Sequence, residues 1–166
     1  MTKQSAGLLV FRHSNSGIEV LLVHPGGPFW AKKDDGAWTI PKGLLGEDED
    51  TLVAARREFQ EETGLPITEP LIELGEVRNP SGKHIHAWAF EGNFNPKAIR
   101  SNTFSMEWPP KSGITKEFPE IDKAEYFSVE DAKIKIHAPQ VVFLERLCEK
   151  LGITIKPEPQ KFLFDL

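Results

Sequence analysis

Two apolar runs open the chain, AGLLVF at residues 6–11 and IEVLLVH at 18–24, and the polar SNSG between them interrupts the pattern as a turn would. They predict an antiparallel pair of strands. PGGPFWAKKDDG, residues 25–36, has the glycines, prolines and charges of a loop and carries Trp30; a short strand, AWTI, is expected at 37–40. Helical spacing then runs from about residue 50 to 63. Asp48 and Asp50 sit where a helix N-terminus favours anions and caps, Gly64 supplies a C-cap, and Pro66 prevents continuation. On this helix Leu52, Ala55 and Phe59 form a stripe for core contact, and Ala54 and Ala55 let a neighbouring backbone approach.

Strands return at 67–78 and 83–92, joined by NPSG as a hairpin. In the second, Ile85, Ala87 and Ala89 alternate with His84, His86, Trp88 and Phe90. Residues 93–118, rich in Pro, Ser, Asn and Lys and carrying Trp108, read as a long loop. AEYFSV predicts one more strand; VEDA follows it, and APQVVFLERLCEKLG predicts a C-terminal helix with Pro139 near its first turn and Gly152 past its end. Strands interleaved with two helices predict an α/β fold, a sheet with helices on both faces, as a single domain over residues 1–166. The pattern does not give the strand order.

Composition narrows the partners. With 166 residues and a formal net charge of −5, the chain carries no global positive field for nucleic acid or an anionic membrane, so a polyanionic ligand must be held by a local site. The single cysteine, Cys148, lies in the apolar-periodic C-terminal segment and reads as a buried structural thiol, which makes the cytoplasm the expected compartment. The five-residue apolar run near the N-terminus is too short for a signal segment, and no stretch approaches the ~18 apolar residues of a membrane span.

The predicted helix at 50–63 carries the chemistry. In AARREFQEETG, Glu58, Glu61 and Glu62 stand at i, i+3 and i+4 and share one arc. Like charges at that spacing cost an isolated helix roughly 0.2–0.5 kcal/mol per pair, and Arg57, four residues before Glu61, offsets only part. A hard divalent cation is the natural neutraliser, because such ions prefer oxygen ligands and share them with waters and phosphates. The surrounding GLLGEDEDTLVAARREFQEETGL fixes Gly43, Glu49, Arg57, Glu58, Glu61, Glu62 and Gly64 with apolar Phe59 and Leu65 at set intervals. This resembles the Nudix box, with every fixed position filled.

The resemblance implies an α/β/α sandwich with a mixed central sheet and hydrolysis of a nucleoside diphosphate linked to another group, with Mg2+ or Mn2+. It implies Glu58, Glu61 and Glu62 as metal carboxylates, the Gly43 carbonyl as a further ligand, Arg57 as their orienting partner and Glu49 as support for the loop-to-helix geometry. One glutamate must also accept a proton, Glu58 first and Glu62 second. Asp48 stands where box loops often have glycine, and aspartate tolerates the left-handed turn at some strain. Family members often add a glutamate from a loop before a late strand; here Glu120 is the first choice and Glu117 the second. WTIPKG resembles the lead-in of dinucleoside polyphosphate hydrolases and makes Lys42 a phosphate ligand. His86 and Trp88, with His84, share a strand face that could stack a base. The expected partner is a small nucleotide, diadenosine tetraphosphate above nucleoside triphosphates, acted on by a monomer or homodimer; a non-catalytic nucleotide-binding module would be expected to have lost box glutamates.

Overall fold

A computed structural model of the chain describes residues 3–15 and 17–153. The two opening runs become β1 (Gln4–Ser14) and β2 (Gly17–Pro25), antiparallel with Val10 opposite Leu21. They are apolar at successive positions because both faces of the sheet are covered. Leu8, Val10, Leu21 and Val23 enter one core, whereas Leu9, Phe11, Val20 and Leu22 enter the other.

A short β3 (Lys42–Leu44) pairs with the first residues of β1, on the same edge as β2. On the other edge, β5 (His84–Glu91) runs parallel to β1 and carries β4 (Ile72–Arg78) as its antiparallel hairpin partner. β8 (Ile121–Ser128) pairs antiparallel with β2, which completes the order β4-β5-β1-β2-β8. The sheet is therefore mixed. α1 (Thr51–Thr63) covers one face through Ala54, Ala55 and Phe59, with Phe59 edge-on to Phe90 at 5.4 Å. α2 (Val129–Lys135) and α3 (Val141–Leu151) cover the other, where Phe143, Leu144, Leu147 and Cys148 are buried. This is the expected α/β/α sandwich. Full burial of a side chain such as Phe59 contributes roughly 1.5–3 kcal/mol to holding the acidic helix against the sheet.

The ends of α1 follow the sequence closely. Asp50 accepts a hydrogen bond from the Val53 N–H at 3.3 Å, and Gly64 closes the helix in the left-handed conformation at φ 69°. Asp48 takes φ 56°, the left-handed turn for which glycine is usual. The buried arc differs in detail: Leu52 is only half-buried, and Thr63 completes the arc at the other end.

Four expectations need correction. Residues 37–40 form no strand; Thr39 bridges to Val23 and Trp38 to Ile136, so the segment is stitched between two neighbours and extends a ladder with neither. The strand expected from Ile67 begins only at Ile72. The supposed loop at 93–118 contains a 3-10 turn at Pro96–Ala98 and a separate two-stranded sheet, β6 (Thr103–Glu107) with β7 (Thr115–Pro119). Phe104 and Met106 alternate there with polar residues, a two-residue period masked by the surrounding composition. Finally, VEDA starts a helix of its own, capped by the Ser128 hydroxyl, and Pro139 lies in a 3-10 turn before α3, so the described residues hold three α-helices.

Candidate active site

Arg57 organises the acidic arc of α1. Its Nε and Nη2 donate to the two oxygens of Glu49, each at 2.8 Å, while Nη1 donates to Glu58 at 2.9 Å and Glu61 at 3.0 Å. Nη2 also reaches the Leu44 carbonyl at 3.1 Å, which ties the helix to the end of β3. Glu49 accepts a further bond from the Gly46 N–H at 2.8 Å. Hydrogen bonds from Arg57 first, then Gly46, lower the Glu49 carboxyl to about 2, and the same pairing raises the already high pKa of Arg57. One guanidinium thus fixes the loop, the helix and two of the three arc carboxylates.

Glu58 leans against β3. An added Cβ at Gly43 would come within 2.5 Å of Glu58 Oε1, and closer still to Oε2 and the carboxyl carbon. Only glycine leaves that space. Glu62 lies deeper, its Oε2 accepting the Lys42 N–H at 3.0 Å, and desolvation raises its pKa to about 8 against the opposing pull of that bond and the Lys42 charge. Desolvation also raises Glu58, with Glu61 and Glu120 adding repulsion. Glu120, between β7 and β8, contributes the same repulsion to Glu62. Glu117 lies instead on the exposed β7, where Thr103 donates to it.

Among the described residues, no three His, Cys, Asp or Glu side chains already converge as a ready-made cation site. Glu58 and Glu61 are drawn to Arg57, and Glu62 to the Lys42 N–H. The donors nevertheless fit a hard divalent ion: the acidic groups offer only oxygen, two resist ionisation without a compensating charge, and the missing side chain of Gly43 lets one of them lie against the β3 backbone.

Two depressions flank this cluster and share Pro25 and Trp30. The first, of about 300 Å³, is lined by Lys42, Lys83, His137, Asn79 and Gln140. Burial lowers the Lys42 pKa against the charge of Glu62, and burial together with the two lysines lowers that of His137. Sequence reasoning found Lys42 but missed the others, which meet it from the β4–β5 turn and the approach to α3 with no local signal. Gln140 is fully buried and accepts from the Ile40 N–H at 3.0 Å, holding residues 39–40 beside the cleft. The second depression, about 410 Å³, runs between residues 25–30 and β6, with Glu120 in its wall.

His86 and Trp88 stand elsewhere. Ile85 lines the first cleft, so strand alternation turns His86 and Trp88 to the α1 side. There they stack on each other at 4.3 Å, and His86 meets Glu73 across the hairpin at 3.0 Å. The aromatic beside the cleft is Trp30.

The family model for the NUDIX domain matches residues 1–147. A rat bis(5'-nucleosyl)-tetraphosphatase (asymmetrical) is 31% identical over 105 residues, 55% of this chain and 66% of that protein. A Myxococcus xanthus octanoyltransferase is 32% identical over 79 residues, 48% of this chain but 19% of the other. The chain thus spans less than two thirds of the length of either curated relative. Among solved structures, a C. elegans Ap4A hydrolase in a binary complex aligns at TM-score 0.62 and 24% identity, covering 90% of this chain and 98% of that one. The NUDIX domain of Shewanella oneidensis NrtR, complexed with ADP ribose, aligns at 0.63 and 16%, covering 91% and 89%. These structural likenesses concern the fold.

Proposed function

This chain belongs to the Nudix family, and we propose that it is a Mg2+- or Mn2+-dependent pyrophosphohydrolase that cleaves a dinucleoside polyphosphate, such as diadenosine tetraphosphate, asymmetrically. The observation that carries the reading is the desolvated Glu58–Glu62 pair beside a cleft lined by Lys42, Lys83 and His137. A polyphosphate needs both halves: cationic groups to hold its oxygens, and carboxylates that bind metal and take a proton from water. The kinship with the rat tetraphosphatase supports the substrate class.

In this reading Glu58, Glu61 and Glu62, with Glu120 and the Gly43 carbonyl, would hold the metal. A metal held there would supply charge neutralisation at the phosphoryl oxygens and would lower the pKa of the attacking water. Lys42 and Lys83 hold phosphate oxygens, and Trp30 offers a ring to a base. Glu58 accepts the water proton as the new P–O bond forms and the bridging P–O bond breaks, with Glu62 the second choice for that role. Arg57 keeps Glu58 and Glu61 aimed, and Glu49 keeps Arg57 aimed. The reading assigns the protein to the cytoplasm; the single cysteine is buried and free, and among the described residues no helix is long and apolar enough to cross a membrane.

Chromatography of the products from diadenosine tetraphosphate tests the proposal, with ATP and AMP expected. Two ADP would refute asymmetric attack. A strong preference for nucleoside triphosphates with release of pyrophosphate would move the assignment to a nucleotide-pool pyrophosphohydrolase, and hydrolysis of none of these would leave a nucleotide-binding module.

A further inference from the structure

The β6–β7 ribbon is more than a surface excursion. Two strands alone are marginal in water, so the ribbon depends on its attachments. At its base the Asn102 N–H donates to the Glu61 carbonyl at 2.9 Å, and the Glu120 N–H to the Asn102 carbonyl at 2.8 Å. The Gly26 N–H in turn donates to the Glu120 carbonyl at 2.9 Å. Three backbone bonds therefore lock the ribbon base to the acidic helix, to the outlying glutamate and to the loop after β2.

That attachment builds a groove beside the carboxylates. Phe104 and Met106 of β6 form one wall, Phe29 and Trp30 the other, and Gly26 and Gly27 lie between them. A Cβ at Gly27 would lie 2.8 Å from the Phe104 ring, so the closeness of the walls depends on the missing side chain. Phe29 is 65% exposed, with the Lys33 ammonium 3.8 Å from the centre of its ring and Trp30 edge-on at 5.2 Å, so much of its surface still faces the solvent. The groove is apolar apart from Glu120 at the carboxylate end, whereas the first cleft is cationic and polar. Only Pro25 and Trp30 line both.

We infer that this groove is the binding site for the second nucleoside of the substrate, with Phe29, Phe104 and Met106 determining specificity for a substrate that bears a base at both ends. The inference rests on the proposed function. Its volume lies within the range of small-ligand sites, and its lining is mostly aromatic and apolar, with the Lys33 ammonium lying over the Phe29 ring and Glu120 the one charged residue in its wall, which suits a flat base better than a bare phosphate chain. A dinucleoside polyphosphate then crosses the cluster, its chain over Glu58 and Glu62 and its two ends on either side of Trp30. A mononucleotide fills only one side.

The test compares diadenosine tetraphosphate with adenosine 5'-tetraphosphate, which has the same phosphate chain and lacks the second nucleoside. In the full chain with Mg2+, Phe29→Ala and Phe104→Ala are expected to lower the ratio of kcat/KM for the first compound over the second by about tenfold, through KM, as expected for loss of base stacking. Phe104→Trp should restore most of it. A ratio within twofold of the parent in both alanine variants overturns the subsite, even if overall activity falls, because a merely structural role lowers both rates together. Phe29 is exposed enough that its removal leaves the fold intact, so this arm reads out even if Phe104→Ala does not fold. A parent protein that hydrolyses neither compound overturns the proposed function, and the subsite with it.

Discussion

Replacing Gly43 by alanine isolates the seat of Glu58. The new Cβ would lie within 2.5 Å of Glu58 Oε1. Ordinary carbon contacts begin near 3.5 Å, so the carboxylate must withdraw by at least about 1 Å. The obstacle is the end of a flexible side chain, and Gly43 is not among the residues with positive φ, so the backbone can accept alanine. Stability should hold or rise slightly, since Gly→Ala at a compatible site contributes about 0.4–1 kcal/mol through the unfolded chain. Catalysis should not hold. A misplacement of that size costs roughly 100-fold in rate, or about 2.7 kcal/mol of barrier. Steady-state kcat and thermal melts of Gly43→Ala measure the two expectations, and a double-mutant cycle with Glu58→Ala assigns the cause. With the carboxylate removed, the three close contacts that crowd the new Cβ are gone, and the Gly43→Ala effect should vanish. The reasoning is refuted by a kcat within threefold of the parent, or by a full loss that persists in the Glu58→Ala background.

Acid stability should depend on Glu49. Its folded pKa of about 2 lies below the ordinary 4.5, so its contribution is present above pH 4.5 and lost as the pH falls toward 2; Glu49→Gln should flatten that decline in urea melts. Mg2+ or Mn2+ should raise the Tm of the parent, by about 2.7 kcal/mol of stability at one hundred times the dissociation constant, and chelation should reverse it. Glu62→Gln should shrink the shift in calorimetry. Glu120→Gln should depress turnover far more than Glu117→Gln, because only Glu120 shares the field of Glu58 and Glu62, and the reverse ranking would move the role to Glu117.

Local signals were legible and distant meetings were not. Asp50, Gly64 and the left-handed Asp48 act within one turn of their own backbone, so composition and spacing were enough to place them. The alternation in β5 was equally clear, but both faces of that strand are covered, and period alone cannot say which face meets a cleft. His86 and Trp88 were misplaced for that reason. Lys83 and His137 come from segments more than fifty residues apart and meet Lys42 only through the parallel β1–β5 pairing and the return of the chain to Trp38. The β6 period was present in Phe104 and Met106 and was outweighed by prolines and serines beyond the strands.

The ribbon enters at Thr103 and leaves at Pro119, and these two residues face each other across its first rung. Its ends are thus already closed, and the loop-closure entropy of the segment hardly depends on what lies beyond. An engineer could lengthen, shorten or exchange residues 107–115 while the three backbone bonds at the base stay in place. Insertions elsewhere near the carboxylates would pull on the helix or the sheet. Here the scaffold offers a socket, and libraries confined to that tip would vary the far end of the ribbon while Phe104, Met106 and the stability of the hydrolytic core stay untouched.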